Sequence, residues 1–259
     1  MATQPKTGKN FAPIADDYAF FERHASEAQQ DARAYLERLR EIAPPGGRIR
    51  MLDFGCGSGD FTARLLRRAR WPPERLRLTL VEPVESARHS AVAQLARYTS
   101  TFIADSATMT AGSTESFDIV LANHVLYYVP DLRRDLAMLI DALSPRGILL
   151  CAIAGRNNAL IDLWLLAFRL LGTEIPYHTA EDVEAALQDL GAKYDRDQIT
   201  YELTFHDSEE NRLRMIRFLL ADQLARLPLE PLLTSFDHYL RSGRIEIRTS
   251  CDHLTVRMP

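Results

Sequence analysis

The chain has 259 residues, 46% hydrophobic and 25% charged, with a formal net charge of −4; a polymer of this size buries roughly three quarters of its unfolded surface, which excludes a disordered chain. The negative balance and the lack of any long basic block exclude a surface that grips a phosphate backbone by counterion release, so nucleic acid is not an expected partner. The most apolar stretch, LIDLWLLAFRLLG, carries Asp162 and Arg169 and falls short of the ~20 apolar residues of a bilayer span, and the opening MATQPKTGKN has no apolar signal core, so a cytoplasmic chain without membrane contact is expected.

Residues 14 to 43 carry Tyr18, Phe21, Tyr35, Leu36, Leu39 and Ile42 near helical spacing, and PPGG at 44–47 stops the pattern. An N-terminal helical cap segment over 1–47 follows. Strand-like and helix-like runs then alternate: strand 48–54, helix 59–70, strand 77–82, helix 84–97, a short strand 101–104 and strand 117–122. A helix over 131–143 has Asp131 as N-cap and Leu132, Leu136, Leu139, Ile140 and Leu143 on one face; SPRG ends it before a strand at 147–153. Apolar strands such as ILLCAIA, alternating with helices, are the mark of a parallel sheet covered on both faces.

Past Gly155 the pattern changes to a helix at 158–171, a capped helix from Thr179, a strand around 198–205, a helical block at 208–241 and a closing strand at 244–257. The helices exceed what a sheet needs for cover and are expected to cap the C-terminal ends of the strands. The fold class is therefore α/β: a doubly wound, Rossmann-like sheet, mostly parallel with a C-terminal antiparallel strand, plus a helical cap. One structural domain with a lid is expected, in stretches 1–47, 48–155 and 156–259. Three cysteines, Cys56, Cys151 and Cys251, are odd in number and lack metal-type spacing, which fits a reducing compartment and buried small apolar side chains. No metal is expected.

The densest signal is RIRMLDFGCGSGDF at 48–61. A chain with 12 glycines places three of them in five positions where the first core strand should end. Glycine is costly in regular structure, so the cluster marks backbone that a ligand approaches closely. At the C-terminal edge of an open parallel sheet, such a turn points backbone N–H groups and a helix dipole at that ligand. The spacing Gly55-x-Gly57-x-Gly59 lacks the third glycine of the dinucleotide fingerprint, since Asp60 or Thr62 stands there, and no Gly-Lys-Ser/Thr follows as in a P-loop.

The ordered set LDFGCGSG, LTLVEP, FIADSA, SFDIVLANHVLYYVPD and LSPRGILL resembles the class I S-adenosylmethionine-dependent methyltransferases of the small-molecule type over residues 48–155. The resemblance implies S-adenosylmethionine as cofactor. Asp53 and the backbone of Gly55, Cys56 and Gly57 through Gly59 would hold its amino-acid end, Glu82 beside Pro83 its ribose hydroxyls, and Asp105 with the Ser106 N–H its adenine. Asn123 and His124 would flank the sulfonium. Glu82 also stands 23 residues past Gly59, near the spacing at which an acid meets a ribose in related sheets.

The segment ANHVLYY puts His124, Tyr127 and Tyr128 beside the expected methyl group, and His124 is the candidate general base, a packed histidine being the equal alternative. Tyr18 and Phe21 are expected to face the pocket from the cap, Tyr18 beside both cofactor and acceptor. Arg156 and Asn157, with Trp164 and other aromatic groups, suit a small acceptor that is partly aromatic or apolar with a few polar handles. The expected reaction is methyl transfer to nitrogen or oxygen of such a metabolite. A non-catalytic binding protein on the same fold and another α/β nucleotide-cofactor enzyme such as a reductase are the alternatives. Oligomeric state is not legible.

Overall fold

The structure, a computed structural model, describes residues 9, 11–42, 47–109 and 115–258. Its framework is one sheet of order β3-β2-β1-β4-β5-β8-β6, with the short β7 paired to β8. The strands are β1 (Ile49–Phe54), β2 (Leu76–Val81), β3 (Ala104–Ser106), β4 (Phe117–Asn123), β5 (Leu143–Ile153), β6 (Tyr194–His206), β7 (Leu240–Arg241) and β8 (Arg244–Arg257). The first five pair parallel, while β8 runs antiparallel to both β5 and β6. Strand order reverses between β1 and β4, and ligands of open α/β sheets bind at that crevice.

Both faces are covered, as the near-continuous apolar strands require. Along β1 and β4, Met51, Ile119 and Leu121 face one cluster and Leu52, Val120 and Ala122 the other. The first face packs α2 (Glu27–Ile42), α3 (Asp60–Ala69) and α4 (Glu85–Leu95), through Tyr35, Leu39, Leu65 and Leu95. The second packs α1 (Ala15–His24), α5 (Leu132–Asp141), α6 (Ala159–Leu171), α7 (Ala180–Asp189), α8 (Glu209–Leu220) and α9 (Leu229–Thr234). Asp131 caps α5 by accepting the Arg134 N–H at 3.0 Å, and Thr179 and Asp182 form a capping box on α7.

Several boundaries differ from the sequence reading, each for a physical reason. The N-terminal helix breaks at Ala25 and Ser26, where Ser26 exchanges hydrogen bonds with Glu202 on β6, N to O at 2.8 Å and Oγ from N at 2.9 Å. Two helices, α1 and α2, therefore make up the helical segment. Strand β3 is Ala104–Ser106 rather than 101–104, because Phe102 is 87% exposed and only Ala104, Asp105 and Ser106 pair with β2. SPRG lies inside β5 as an irregularity between the Phe117 and Ile119 pairings, and β6 starts at Tyr194 because its register with β8 runs unbroken from Val256 to Arg244. The block 208–241 divides into α8, a 3-10 turn over Ala221–Arg226, α9, a second turn and β7. The PPGG stop lies outside the described residues, apart from Gly47.

Candidate functional site

At the end of β1 the chain turns through Gly55, Gly57 and Gly59, all at positive φ. Gly55 hydrogen-bonds to the Val81 carbonyl at 2.7 Å, and a Cβ there would lie 2.2 Å from Val125 Cγ2, just past β4. Close approach between loop and β4 leaves room for no side chain. Gly57 is the reverse case: an added Cβ would have no atom of the described residues within 4 Å beyond its chain neighbours, so this left-handed turn borders open space. The Glu82 carboxylate, just past β2, accepts the Gly57 N–H at 3.0 Å and the Val84 N–H at 2.9 Å. Arg88 on α4 donates to Asp105 at 2.9 Å and to the Glu82 carbonyl at 2.6 Å, linking the ends of β2 and β3.

Asp53 is buried at the end of β1 and accepts the Thr62 hydroxyl at 2.5 Å. Burial, aided by the nearby Glu82 charge and opposed by the Thr62 bond, pushes its carboxyl up to about 6. Across the crevice, at the end of β4, Asn123 Oδ1 is buried with no hydrogen-bond partner among the described residues. Such an acceptor is costly unless something supplies a donor.

His124 follows at φ 53, a left-handed conformation uncommon for a side-chain-bearing residue, with its N–H bonded to the Ala152 carbonyl on β5 at 2.8 Å. This geometry sends the imidazole toward α2, where Nε2 donates to Asp31 Oδ2 at 3.0 Å and lies 3.6 Å from Glu27 Oε2. Nδ1 meets the Tyr127 hydroxyl at 3.2 Å. Burial opposes a charge on this ring, but Glu27 and Asp31 outweigh it, and the imidazole rises to about 9. Burial raises Glu27 to about 7, with His124 opposing. Asp31 also accepts from His253 on β8 at 2.8 Å, and its bonds to the two imidazoles overcome burial and hold it well below the ordinary carboxylate range. The Tyr201 hydroxyl accepts the Asn158 amide at 3.0 Å and hydrogen-bonds Glu27.

Beside this polar floor stands an aromatic wall. Phe21 stacks on Phe218 of α8 at 4.6 Å, and Tyr18 lies 5.6 Å from the same ring. Tyr128 packs against Phe11 at 5.5 Å and Tyr177 at 5.3 Å, while Trp164 packs on Tyr127 and Tyr177 and donates its N–H to the Leu219 carbonyl at 3.0 Å. The Lys9 ammonium sits over Phe218, Phe11 and Tyr128, at 4.9, 5.0 and 5.9 Å from the ring centres. Burial lowers this lysine to about 7. His124, 3.6 Å from the Glu27 carboxylate, lies stacked at 6.1 Å from the Tyr127 ring, which sets the carboxylate beside the aromatic wall.

The fold thus brings Tyr18, Phe21, Asn123, His124, Tyr127, Tyr128 and Trp164 together around the end of β4, and Asp53, the glycine loop, Cys56, Glu82, Asp105 and Ser106 along the ends of β1 to β3. Pro83 is exposed beside Glu82. Arg156 and Asn157 lie exposed on the loop after β5, with the Arg156 N–H bonded to Glu181 at 3.0 Å. Their neighbour Asn158 is the buried member of that triplet: its Oδ1 caps α6 through the Leu160 N–H at 2.8 Å and its amide reaches the Ser250 carbonyl at 2.7 Å. Sequence reasoning missed Glu27, Asp31, Cys251 and His253. The available signals were Glu27-x-x-x-Asp31, one helical turn, and Cys251-x-His253, one face of a strand.

All three cysteines are free and buried. Among the described residues, no helix is long and apolar enough to cross a membrane.

The family model described as a methyltransferase domain matches residues 23–196. Solved structures of similar fold include the plantazolicin methyltransferase BpumL in complex with S-adenosylhomocysteine, 13% identical with a TM-score of 0.55, the match covering 95% of this chain and 90% of that one. The N-methyltransferase NodS from Bradyrhizobium japonicum is 18% identical with a TM-score of 0.50, over 88% and 97% of the two chains. The YcgJ protein from Bacillus subtilis is 12% identical with a TM-score of 0.58, over 88% and 98%. At such identities the likeness carries the fold alone. No curated protein matches.

Proposed function

We infer, for a chain that belongs to the methyltransferase-domain family and uses S-adenosylmethionine as methyl donor, that the acceptor is the nitrogen of a small amine with an aromatic or apolar body. One observation carries this reading: the Glu27 carboxylate, whose side chain is 13% exposed, stands next to His124 and Tyr201 at the foot of an aromatic wall that already holds the nitrogen of Lys9, whose neutral amine form burial favours. Aromatic faces and a desolvated carboxylate stabilise the positive charge that develops on a neutral amine nitrogen as it takes the methyl group. A neutral phenol or alcohol gains less from either.

The residues present fit the donor. Gly57 leaves a backbone cradle free of side chains and Asn123 Oδ1 is a buried acceptor in want of a donor. In this reading Asp53 and the amides of Gly55 to Gly59 hold the amino-acid end, Glu82 the ribose diol, and Asp105 with the Ser106 N–H the adenine. The carboxylates of Glu82 and Asp105 keep lone pairs beyond those used by Gly57, Val84 and Arg88. Bound S-adenosylmethionine supplies an electrophilic methyl group on a sulfonium.

What the protein adds is alignment and exclusion of water. Glu27 accepts a hydrogen bond from the neutral acceptor amine, leaves that nitrogen's lone pair aimed at the end of β4, and takes up the proton the nitrogen sheds after methyl transfer. Tyr18, Phe21, Tyr128 and Phe218 enclose the apolar body. His124 has both ring nitrogens engaged, one by Asp31 and one by Tyr127, and we assign it the work of positioning Glu27 and the β4 terminus rather than abstracting a proton. The test is a screen with methyl-labelled S-adenosylmethionine against matched pairs of aryl-alkyl amines and the corresponding alcohols. Label in the amines alone supports the reading; label in the alcohols alone overturns it.

A further inference from the structure

Below His124, on the α2 side of the sheet, the fold gathers a set of side chains that the methyl-transfer reading does not use beyond the Asp31 contact to His124. Asp31 lies one helical turn from Glu27 on α2, and Cys251 and His253 lie on one face of β8. Asp31 and Cys251 are fully buried and His253 is 3% exposed. Their ligand atoms converge: His253 Nε2 is 2.8 Å and Cys251 Sγ 3.3 Å from the same oxygen, Asp31 Oδ1. All three lie within 4.8 Å of one another, as do those of Glu27, His124 and Cys251.

We propose that Asp31, Cys251 and His253 bind one divalent transition ion of the zinc class, with the fourth coordination position opening toward His124 and Glu27. Zinc bonds of about 2.0–2.3 Å to N, O and S place tetrahedral ligands roughly 3.3–3.7 Å apart. The separations of 2.8 and 3.3 Å are therefore those of a set that opens by less than ~1 Å to admit the ion. One thiolate, one imidazole and one carboxylate form a borderline-soft set that suits zinc, cobalt or iron and not magnesium or calcium, which take all-oxygen shells. Three buried protein ligands with a free fourth position is the layout of a reactive zinc site rather than a structural one. The free position faces the acceptor floor.

A second, independent feature points to the same spot. Tyr35, one helical turn past Asp31 on α2, is 1% exposed, its ring lies 4.6 Å from the His253 ring, and its hydroxyl has no hydrogen-bond partner among the described residues. A phenol left unpartnered next to the His253 ring is explained by a water or hydroxide on the ion, whose oxygen accepts its proton.

The experiment titrates Co2+ into chelator-treated protein and records the visible and near-ultraviolet spectrum. Saturation at one Co2+ per chain, with intense ligand-field bands and a thiolate-to-cobalt charge-transfer band, is the expected result. Zn2+ displaces the signal and Mg2+ does not. Cys251→Ser abolishes the charge-transfer band, His253→Asn and Asp31→Asn weaken uptake at least tenfold, and Cys151→Ser changes neither. S-adenosylhomocysteine binding by each variant verifies its fold. No charge-transfer band with the parent protein, or a band that survives Cys251→Ser, overturns the site and leaves a hydrogen-bonded cluster in its place. The readout needs no turnover, so an amine-selective enzyme without the cobalt band removes the metal and leaves the acceptor assignment standing.

Discussion

Gly55→Ala tests how closely the glycine loop approaches the end of β4. Two costs add. The residue sits at φ 74, where an L side chain loses roughly 1–2 kcal/mol relative to glycine. The new Cβ would stand 2.2 Å from Val125 Cγ2 and 2.7 Å from Val125 Cβ, and relieving such overpacking costs about 1–3 kcal/mol. A total of roughly 2–5 kcal/mol follows. Val125→Ala removes the nearer clash but keeps the Cβ, so the double variant recovers only part of the loss, on the order of 1 kcal/mol beyond additivity. Urea unfolding of the parent, both single variants and the double variant measures the cycle. A Gly55→Ala loss below about 1 kcal/mol, or strict additivity, contradicts the contact.

Three more outcomes are expected. The Asp53 carboxyl, raised to about 6, contributes stability below the unfolded aspartate value of about 4, and that contribution is lost as pH rises through 6; Asp53→Asn therefore raises the thermal midpoint of the ligand-free protein at pH 8 while weakening S-adenosylmethionine binding. In the parent, calorimetry should show that binding strengthen as pH rises through 6. Glu82→Ala weakens it by about 1–3 kcal/mol, and Gly57→Val does worse, because its branch fills the open cradle and its φ of 53 disfavours a β-branched residue; parent-like affinity in both variants refutes the site. Adding S-adenosylhomocysteine slows hydrogen exchange in α1 and α8, whose Tyr18, Phe21 and Phe218 meet; unchanged exchange in both helices counts against a lid.

What was legible in the sequence was local. The glycine loop, the apolar strands and the caps at Asp131 and Thr179 are each set by residues a few positions apart, and so the doubly wound sheet could be read before it was seen. Phe102 misled the placement of β3, because an apolar side chain at 87% exposure imitates a strand residue. The break at Ser26 depends on Glu202, and the cluster under His124 joins Asp31 to His253 across 222 positions. Nothing local marks such partners. His124 was singled out as a base from its place after β4, but its left-handed turn aims it at α2, and the two carboxylates that define its surroundings come from a segment read only as a cap.

Glu27 is the residue on which acceptor choice rests, and its role is tested most directly by comparing kcat/KM of the parent and Glu27→Gln for one amine acceptor, alongside the S-adenosylhomocysteine dissociation constant. Removing a charged hydrogen-bond partner of the reacting nitrogen should lower kcat/KM by about 10- to 150-fold, equivalent to 1.5–3 kcal/mol, and leave the dissociation constant unchanged. An unchanged kcat/KM, with the amine still methylated, contradicts the placement of the acceptor on Glu27.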